Sequence, residues 1–232
     1  MTETEVKKIL IVAAHPDDEV LGCGGLIAKY SKNKQFEFYT LILTAGANTR
    51  YHENMEKVLK QNAAEANEIL GVKKLFIEDL PNQELDSIPL TTVIKTIEKY
   101  TDLIKPEILF INNGSDLNKD HQVAYEAGIT VSRPVTGQFI KRVYSYFTAS
   151  STEWGLKSRF ESFFPNLYID ITESMEYKIK SMECYKTENR NYPHPRSSEA
   201  LCKYAEYFAI SSSCGKYAEP FMLLRNIEGE LI

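Results

Sequence analysis

From Ile9 to Ala14 the chain reads Ile-Leu-Ile-Val-Ala-Ala without a polar residue. A short apolar run rich in β-branched residues predicts a strand covered on both faces. Similar stretches recur at Phe36–Leu43, Lys74–Glu78 and Ile108–Ile111. Between them the spacing of apolar residues turns helical. A helix is predicted over about Gly24–Ser31, and a long one ends at Leu70, where Gly71 supplies a C-terminal stop. Another runs from Pro89 to about Ile104 with Pro106 closing it, and a fourth covers His121–Ser132. A polar loop, Thr44–His52, separates the second strand from the long helix. Past Pro134 the pattern loosens. Strands are predicted at Lys141–Phe147, Leu167–Ile171 and Phe221–Arg225, and helices at Glu173–Lys186 and Ser198–Phe208, the latter capped by Ser197.

Repeated strand–helix units predict an α/β fold: a Rossmann-like, mostly parallel sheet with helices on both faces. No repeat, low-complexity tract or Gly/Pro/Ser-rich linker interrupts the 232 residues. Residues 1–232 therefore read as a single domain, with the C-terminal third completing the site rather than standing apart.

Composition narrows the picture. A formal net charge of −5 argues against a nucleic-acid partner held through phosphate contacts. No apolar run is long enough for a membrane span. The acidic stretch Met1–Glu5 leads straight into the first strand, unlike a signal peptide, so a cytoplasmic chain is expected. Cys23, Cys184, Cys202 and Cys214 lack metal-ligand spacing and read as reduced thiols. Oligomeric state is left open, a homo-oligomer included.

The candidate chemistry sits where the first strand ends. Ala14-His15-Pro16-Asp17-Asp18-Glu19 joins that strand to a glycine cluster, Gly22, Gly24 and Gly25. In an open parallel sheet, ligands bind at such strand ends. One imidazole beside three carboxylates repels itself unless a cation joins. His15 and Asp18, three apart around Pro16, can reach one ion, and imidazole with carboxylate suits zinc. The competing reading is a solvated acidic turn with a helix-capping aspartate. The glycines are spaced too far from the strand for a dinucleotide fingerprint, which leaves close helix–sheet packing as their explanation.

The hexapeptide followed by Leu21-Gly22-Cys23-Gly24-Gly25 resembles the signature of the LmbE-like, or PIG-L, zinc-dependent N-deacetylases. Further blocks resemble the family in its order: Asp116-Leu117-Asn118-Lys119-Asp120-His121, Ser151-Thr152-Glu153-Trp154, Cys184-Tyr185-Lys186, Tyr192-Pro193-His194-Pro195-Arg196-Ser197 and Tyr217-Ala218-Glu219-Pro220-Phe221. The later blocks are most similar to a branch associated with bacterial surface polysaccharides. The resemblance implies Zn2+ held by His15, Asp18 and His121, with Asp17 as general base and Asp120 orienting an imidazole. It implies removal of acetyl from an N-acetylated sugar of the N-acetylglucosamine type, free or nucleotide- or lipid-linked. Two alternatives stay open: a zinc amidase acting on a non-sugar N-acyl substrate, and a non-catalytic nucleotide-binding protein.

One position departs from the family pattern. Many members carry a histidine three residues before the last ligand, where this chain has Asn118. An amide can donate to an oxyanion but cannot deliver a proton. Protonation of the leaving amine then falls to Asp17 or to His194, held between two prolines. Arg50, Arg133, Trp154 and Arg196 are the candidates for substrate contacts.

Overall fold

A computed structural model describes residues 6–45, 55–155 and 162–228. The elements are β1 (Lys7–Ala13), α1 (Asp18–Tyr30), β2 (Phe36–Ile42), α2 (Met55–Leu70), β3 (Lys74–Ile77) and α3 (Leu90–Ile104). They continue with β4 (Ile108–Ile111), α4 (Lys119–Val131), β5 (Arg142–Tyr146), β6 (Leu167–Asp170), α5 (Met175–Cys184), α6 (Ser198–Ser212) and β7 (Ala218–Asn226). A single 3₁₀ turn covers Leu85–Ser87.

All seven strands form one sheet in the order β3-β2-β1-β4-β5-β7-β6. The first five are mutually parallel, and β7 runs antiparallel to both β5 and β6. Central β1 explains its own sequence. Ile9, Ile11 and Ala13 pack into one buried cluster with α1, α2 and α5, while Leu10, Val12 and Ala14 pack into another with α3 and α4. Covered on both sides, β1 has no face that favours polar residues. In the sheet β2 lies on one side of it and β4, which follows β3 in the chain, on the other. The strand order therefore reverses between β1 and β4, which opens a crevice beyond their C-terminal ends.

Helix α1 starts at Asp18, six residues before the predicted start. Asp17 immediately ahead adopts a left-handed conformation (φ 105°), and the carboxylates of Asp18 and Glu19 suit a helix N-terminus. The glycines thus lie within the helix. A Cβ on Gly22 would sit 2.2 Å from the Tyr146 ring, so glycine lets α1 pass close over the end of β5. Likewise α4 starts at Lys119, which puts His121 on its first turn rather than at its start. Strand β7 and helix α6 are both longer than predicted, and Ser197 caps α6 by accepting from Ala200 N–H at 3.1 Å.

The C-terminal third is bolted to α1 by a buried ion pair. Lys178 Nζ on α5 meets Glu219 Oε1 on β7 at 2.6 Å and donates to Leu21 O at 2.7 Å. Glu219 also accepts the Gly25 and Leu26 amides, at 2.8 and 2.7 Å. No helix among the described residues is long and apolar enough to cross a membrane.

Candidate metal centre and its cavity

Beyond β1 the chain turns sharply through His15-Pro16-Asp17 into α1, and Asn112 ties this turn to the end of β4. Its Oδ1 accepts from Ala14 N–H at 2.9 Å, and its Nδ2 donates to Asp18 Oδ2 at 3.2 Å. Glu19 braces the turn from below. Its Oε2 accepts from Asp17 N–H at 3.1 Å, and its Oε1 accepts from Asn67 Nδ2 at 3.0 Å and Tyr185 OH at 2.5 Å. Burial pushes the Glu19 carboxyl up to about 7 against these donors.

Three donor atoms converge above the turn. His15 Nδ1 lies 3.2 Å from His121 Nε2, His121 Nε2 lies 3.2 Å from Asp18 Oδ2, and His15 Nδ1 lies 3.5 Å from Asp18 Oδ2. A tetrahedral ion with bonds of about 2.0–2.1 Å sets its donors roughly 3.3 Å apart, which this triangle matches. All three side chains are buried. Asp18 Oδ1, also buried, has no hydrogen-bond donor among the described residues. Burial alone would raise Asp18, but His121 and His15 outweigh it and hold its carboxyl well below the usual range. Against burial, neighbouring carboxylates raise His15 and carry His121 well above its ordinary value. The cluster favours positive charge from each side, as a cation site requires.

Each imidazole has a carboxylate behind it. His15 Nε2 is 3.0 Å from Asp120 Oδ2, and Asp120 is fixed by the Gln83 and Leu85 amides at 2.7 and 3.0 Å. His121 Nδ1 lies 3.1 Å from Asp116 Oδ2, at ion-pair distance but off the line of an aligned hydrogen bond. Asp116 accepts in turn from Asn118 N–H at 2.9 Å, from Thr152 Oγ1 at 2.8 Å and from Ser151 Oγ. Such outer carboxylates set the tautomer of a ligating histidine.

A cavity of about 420 Å³ opens beside the triangle and meets it at His15. Asp17 borders it, and its side chain makes no capping bond to its own helix. Instead its Oδ2 accepts from Arg196 Nη1 at 2.7 Å. That nitrogen also reaches Glu188 at 3.0 Å, and Arg196 Nε donates to Ser150 Oγ at 2.7 Å. Burial raises the Asp17 carboxyl well above its ordinary value, with Arg196 opposing. Asn118 also lines the cavity. Its Oδ1 caps α4 by accepting from Asp120 N–H at 2.9 Å, and its Nδ2 donates to Gln83 Oε1 over a long 3.5 Å, a bond that a substrate oxygen can replace.

The remaining sequence candidates separate by position. Trp154 and Arg196 line the cavity. Arg196, read as a substrate clamp, is engaged by Asp17, Glu188 and Ser150. His194 stands behind Trp154, ring centroids 6.1 Å apart, and is not among the lining residues. Its Nδ1 accepts from Arg196 N–H at 3.1 Å, and burial together with Arg196 and Arg190 lowers its pKa. Arg133 does not reach the cavity. It follows the C-terminal end of α4, the end far from the centre, and its guanidinium contacts Thr130 O at 2.8 Å and Glu98 at 3.7 Å. Arg50 lies outside the described residues.

Sequence reasoning missed three contributors. Asp116 lies at the start of the Asp116–His121 block, and a carboxylate five residues ahead of a ligand histidine is a usable signal for its role. Glu188 gave no signal. Gln83 sits in a loop after β3, where a left-handed conformation (φ 62°) sends its amide nitrogen to within 3.0 Å of His15 Nε2.

Comparison with known proteins places the chain by family and by fold. The family described as PIG-L, GlcNAc-PI de-N-acetylase, matches residues 10–132. Diacetylchitobiose deacetylase of Thermococcus kodakarensis is 26% identical over 209 residues, covering 79% of this chain and 71% of that protein. In structure, N,N'-diacetylchitobiose deacetylase from Pyrococcus horikoshii superposes with a TM-score of 0.74 at 20% identity, over 94% of this chain and 84% of that one. The 4-carboxy-2-hydroxymuconate hydratase of Pseudomonas putida superposes with a TM-score of 0.76 at 18% identity, over 98% and 100%. One fold thus carries two reaction types, and the site must decide between them.

Proposed function

The chain belongs to the PIG-L family of GlcNAc-PI de-N-acetylases, and from that premise we propose that it is a zinc-dependent hydrolase removing the acetyl group from an N-acetylated sugar. The observation that carries the reading is the open triangle of His15 Nδ1, Asp18 Oδ2 and His121 Nε2 with the Asp17 carboxylate beside it. A zinc ion held there would supply the positive charge that acidifies water and polarises an amide carbonyl.

The residues divide the rest of the work. Asp17 takes a proton from the attacking water as its oxygen bonds to the amide carbon, a role suited to a carboxylate whose pKa is raised by burial. Arg196 holds that carboxylate in place. Asn118 Nδ2 offers a hydrogen bond to the oxyanion that forms. As the C–N bond breaks, Asp17 returns its proton to the departing nitrogen, giving acetate and a free amine. We assign both transfers to Asp17. His194 sits behind Trp154 with a lowered pKa and holds little proton to give at neutral pH.

The test is metal analysis combined with amine release from N-acetyl sugars, nucleotide sugars and open-chain acetamides. About one zinc per chain, with chelator-sensitive release from a sugar, is expected. Release from open-chain amides alone would favour the non-sugar amidase. A protein without metal that binds nucleotides and releases nothing would overturn the hydrolase reading.

A further inference from the structure

Resting on the deacetylase reading, we propose that Trp154 is a stacking platform for the sugar ring, which makes the substrate a pyranoside and not a small open-chain amide. Tryptophan is usually well buried. This one, the chain's only tryptophan, is 48% exposed on the rim of the cavity. Its exposure is not looseness, because residues 150–155 around it are anchored by several bonds. Glu153 accepts from the Ser150 and Ser151 amides at 2.7 and 3.2 Å and from Tyr204 OH at 3.0 Å. Ser151 and Thr152 bond to Asp116. At Gly155 a Cβ would sit 2.2 Å from Ser115 O, so only glycine lets the loop close against the β4 exit. The His194 ring stands at 85° to the indole and braces it.

Asp116 links this platform to the centre, because the same carboxylate backs His121. The indole is therefore held at a fixed offset from the ligand triangle. Elsewhere the cavity is lined by Asn82, Gln83, Asn118 and Lys119, the last with its ammonium 3.2 Å from Gln122 Oε1. One rigid aromatic plane together with amides and an ammonium suits a pyranose, which has an apolar C–H face and a ring of hydroxyls. An open-chain acetamide has no face to place on the indole.

Because Trp154 is the only tryptophan, its emission reports the contact directly. Metal-loaded Asp17→Asn enzyme, which keeps the amide intact, is titrated with N-acetylglucosamine, N-acetylglucosamine 1-phosphate and N-butylacetamide. A sugar should shift or quench the emission, and N-butylacetamide should not. With the otherwise wild-type enzyme, Trp154→Ala should raise KM for the sugar roughly 3- to 10-fold with kcat little changed, and Trp154→Phe should recover most of that loss. Emission unmoved by every sugar, or an unchanged KM in Trp154→Ala, overturns the platform. The two readings fail separately. Sugar-dependent quenching without amine release would keep the platform and sink the deacetylase, whereas amine release with silent emission would do the reverse.

Discussion

Replacing Asp116 with asparagine removes one charge and almost no volume, yet neither orientation of the new amide fits its surroundings. Oδ1 of Asp116 accepts from Asn118 N–H and Ser151 Oγ, and Oδ2 accepts from Thr152 Oγ1 and faces His121 Nδ1. The two hydroxyls can reverse and accept instead. The Asn118 amide cannot, and His121 Nδ1–H can do so only by moving its proton to Nε2, the ligand atom. If the NH₂ group faces Asn118, two donors collide at the start of α4. If it faces His121, the ring must adopt the tautomer that cannot bind metal. Losing an outer carboxylate of this kind typically costs 10–100-fold in metal affinity, about 1.4–2.7 kcal/mol. Leaving a buried donor opposed adds roughly 1–3 kcal/mol of lost stability. Competition against a fluorescent chelator measures the first effect and urea unfolding of the metal-free protein the second. Ser151→Ala is the control, since it loosens the same loop without touching His121, and it should leave affinity nearly intact. Unchanged zinc affinity in folded Asp116→Asn would refute the argument that Asp116 sets the His121 tautomer.

Three further outcomes follow from the same structure. Asp17→Asn should retain zinc and lose roughly 10²–10⁴-fold in turnover; near-wild-type rates would move the base elsewhere. Lys178→Met should destabilise the fold by about 3 kcal/mol, the low end for a broken buried pair, because Glu219 keeps two amide donors; a loss too small to measure by urea unfolding would mean that the pair contributes little. His194→Gln should leave the high-pH fall in turnover in place, because a histidine whose pKa lies below 6.5 has already lost its proton there. In stability the sign is that the unfolded state binds the proton first, so the His194 contribution is full above about pH 6.5 and is lost as pH falls toward the lower folded value. Disappearance of the high-pH limb in His194→Gln would restore His194 as the acid.

The elements most legible in the sequence were those that bury two faces. Run Ile9–Ala14 reads as a strand because both sides of β1 are covered, and the same holds for Ile108–Ile111 in β4. The start of α1 was not legible. Carboxylates and glycines both weaken a helical reading, and their presence is explained only by what they meet: Gly22 by the Tyr146 ring, Glu19 by Asn67 and Tyr185. Those partners lie 48 and more residues away, beyond the reach of local periodicity.

The same distinction applies to the centre. His15, Asp17 and Asp18 could be singled out because one turn concentrates more charge than water-free burial tolerates. His121 needed a second strand to be placed beside the first, which topology supplies. Arg196 could be read from the sequence only as a candidate substrate contact, because a lone arginine carries no record of its acceptors. Folding brings it to two carboxylates, Asp17 from the first turn and Glu188 from the loop before α6. At the triangle itself one buried carboxylate oxygen, Asp18 Oδ1, has no donor among the described residues. A buried carboxylate with one oxygen left without a donor is more stable beside a cation than without one. Metal removal should therefore lower thermal stability as well as activity, and unchanged unfolding after chelation would show that the acids are balanced by the chain alone.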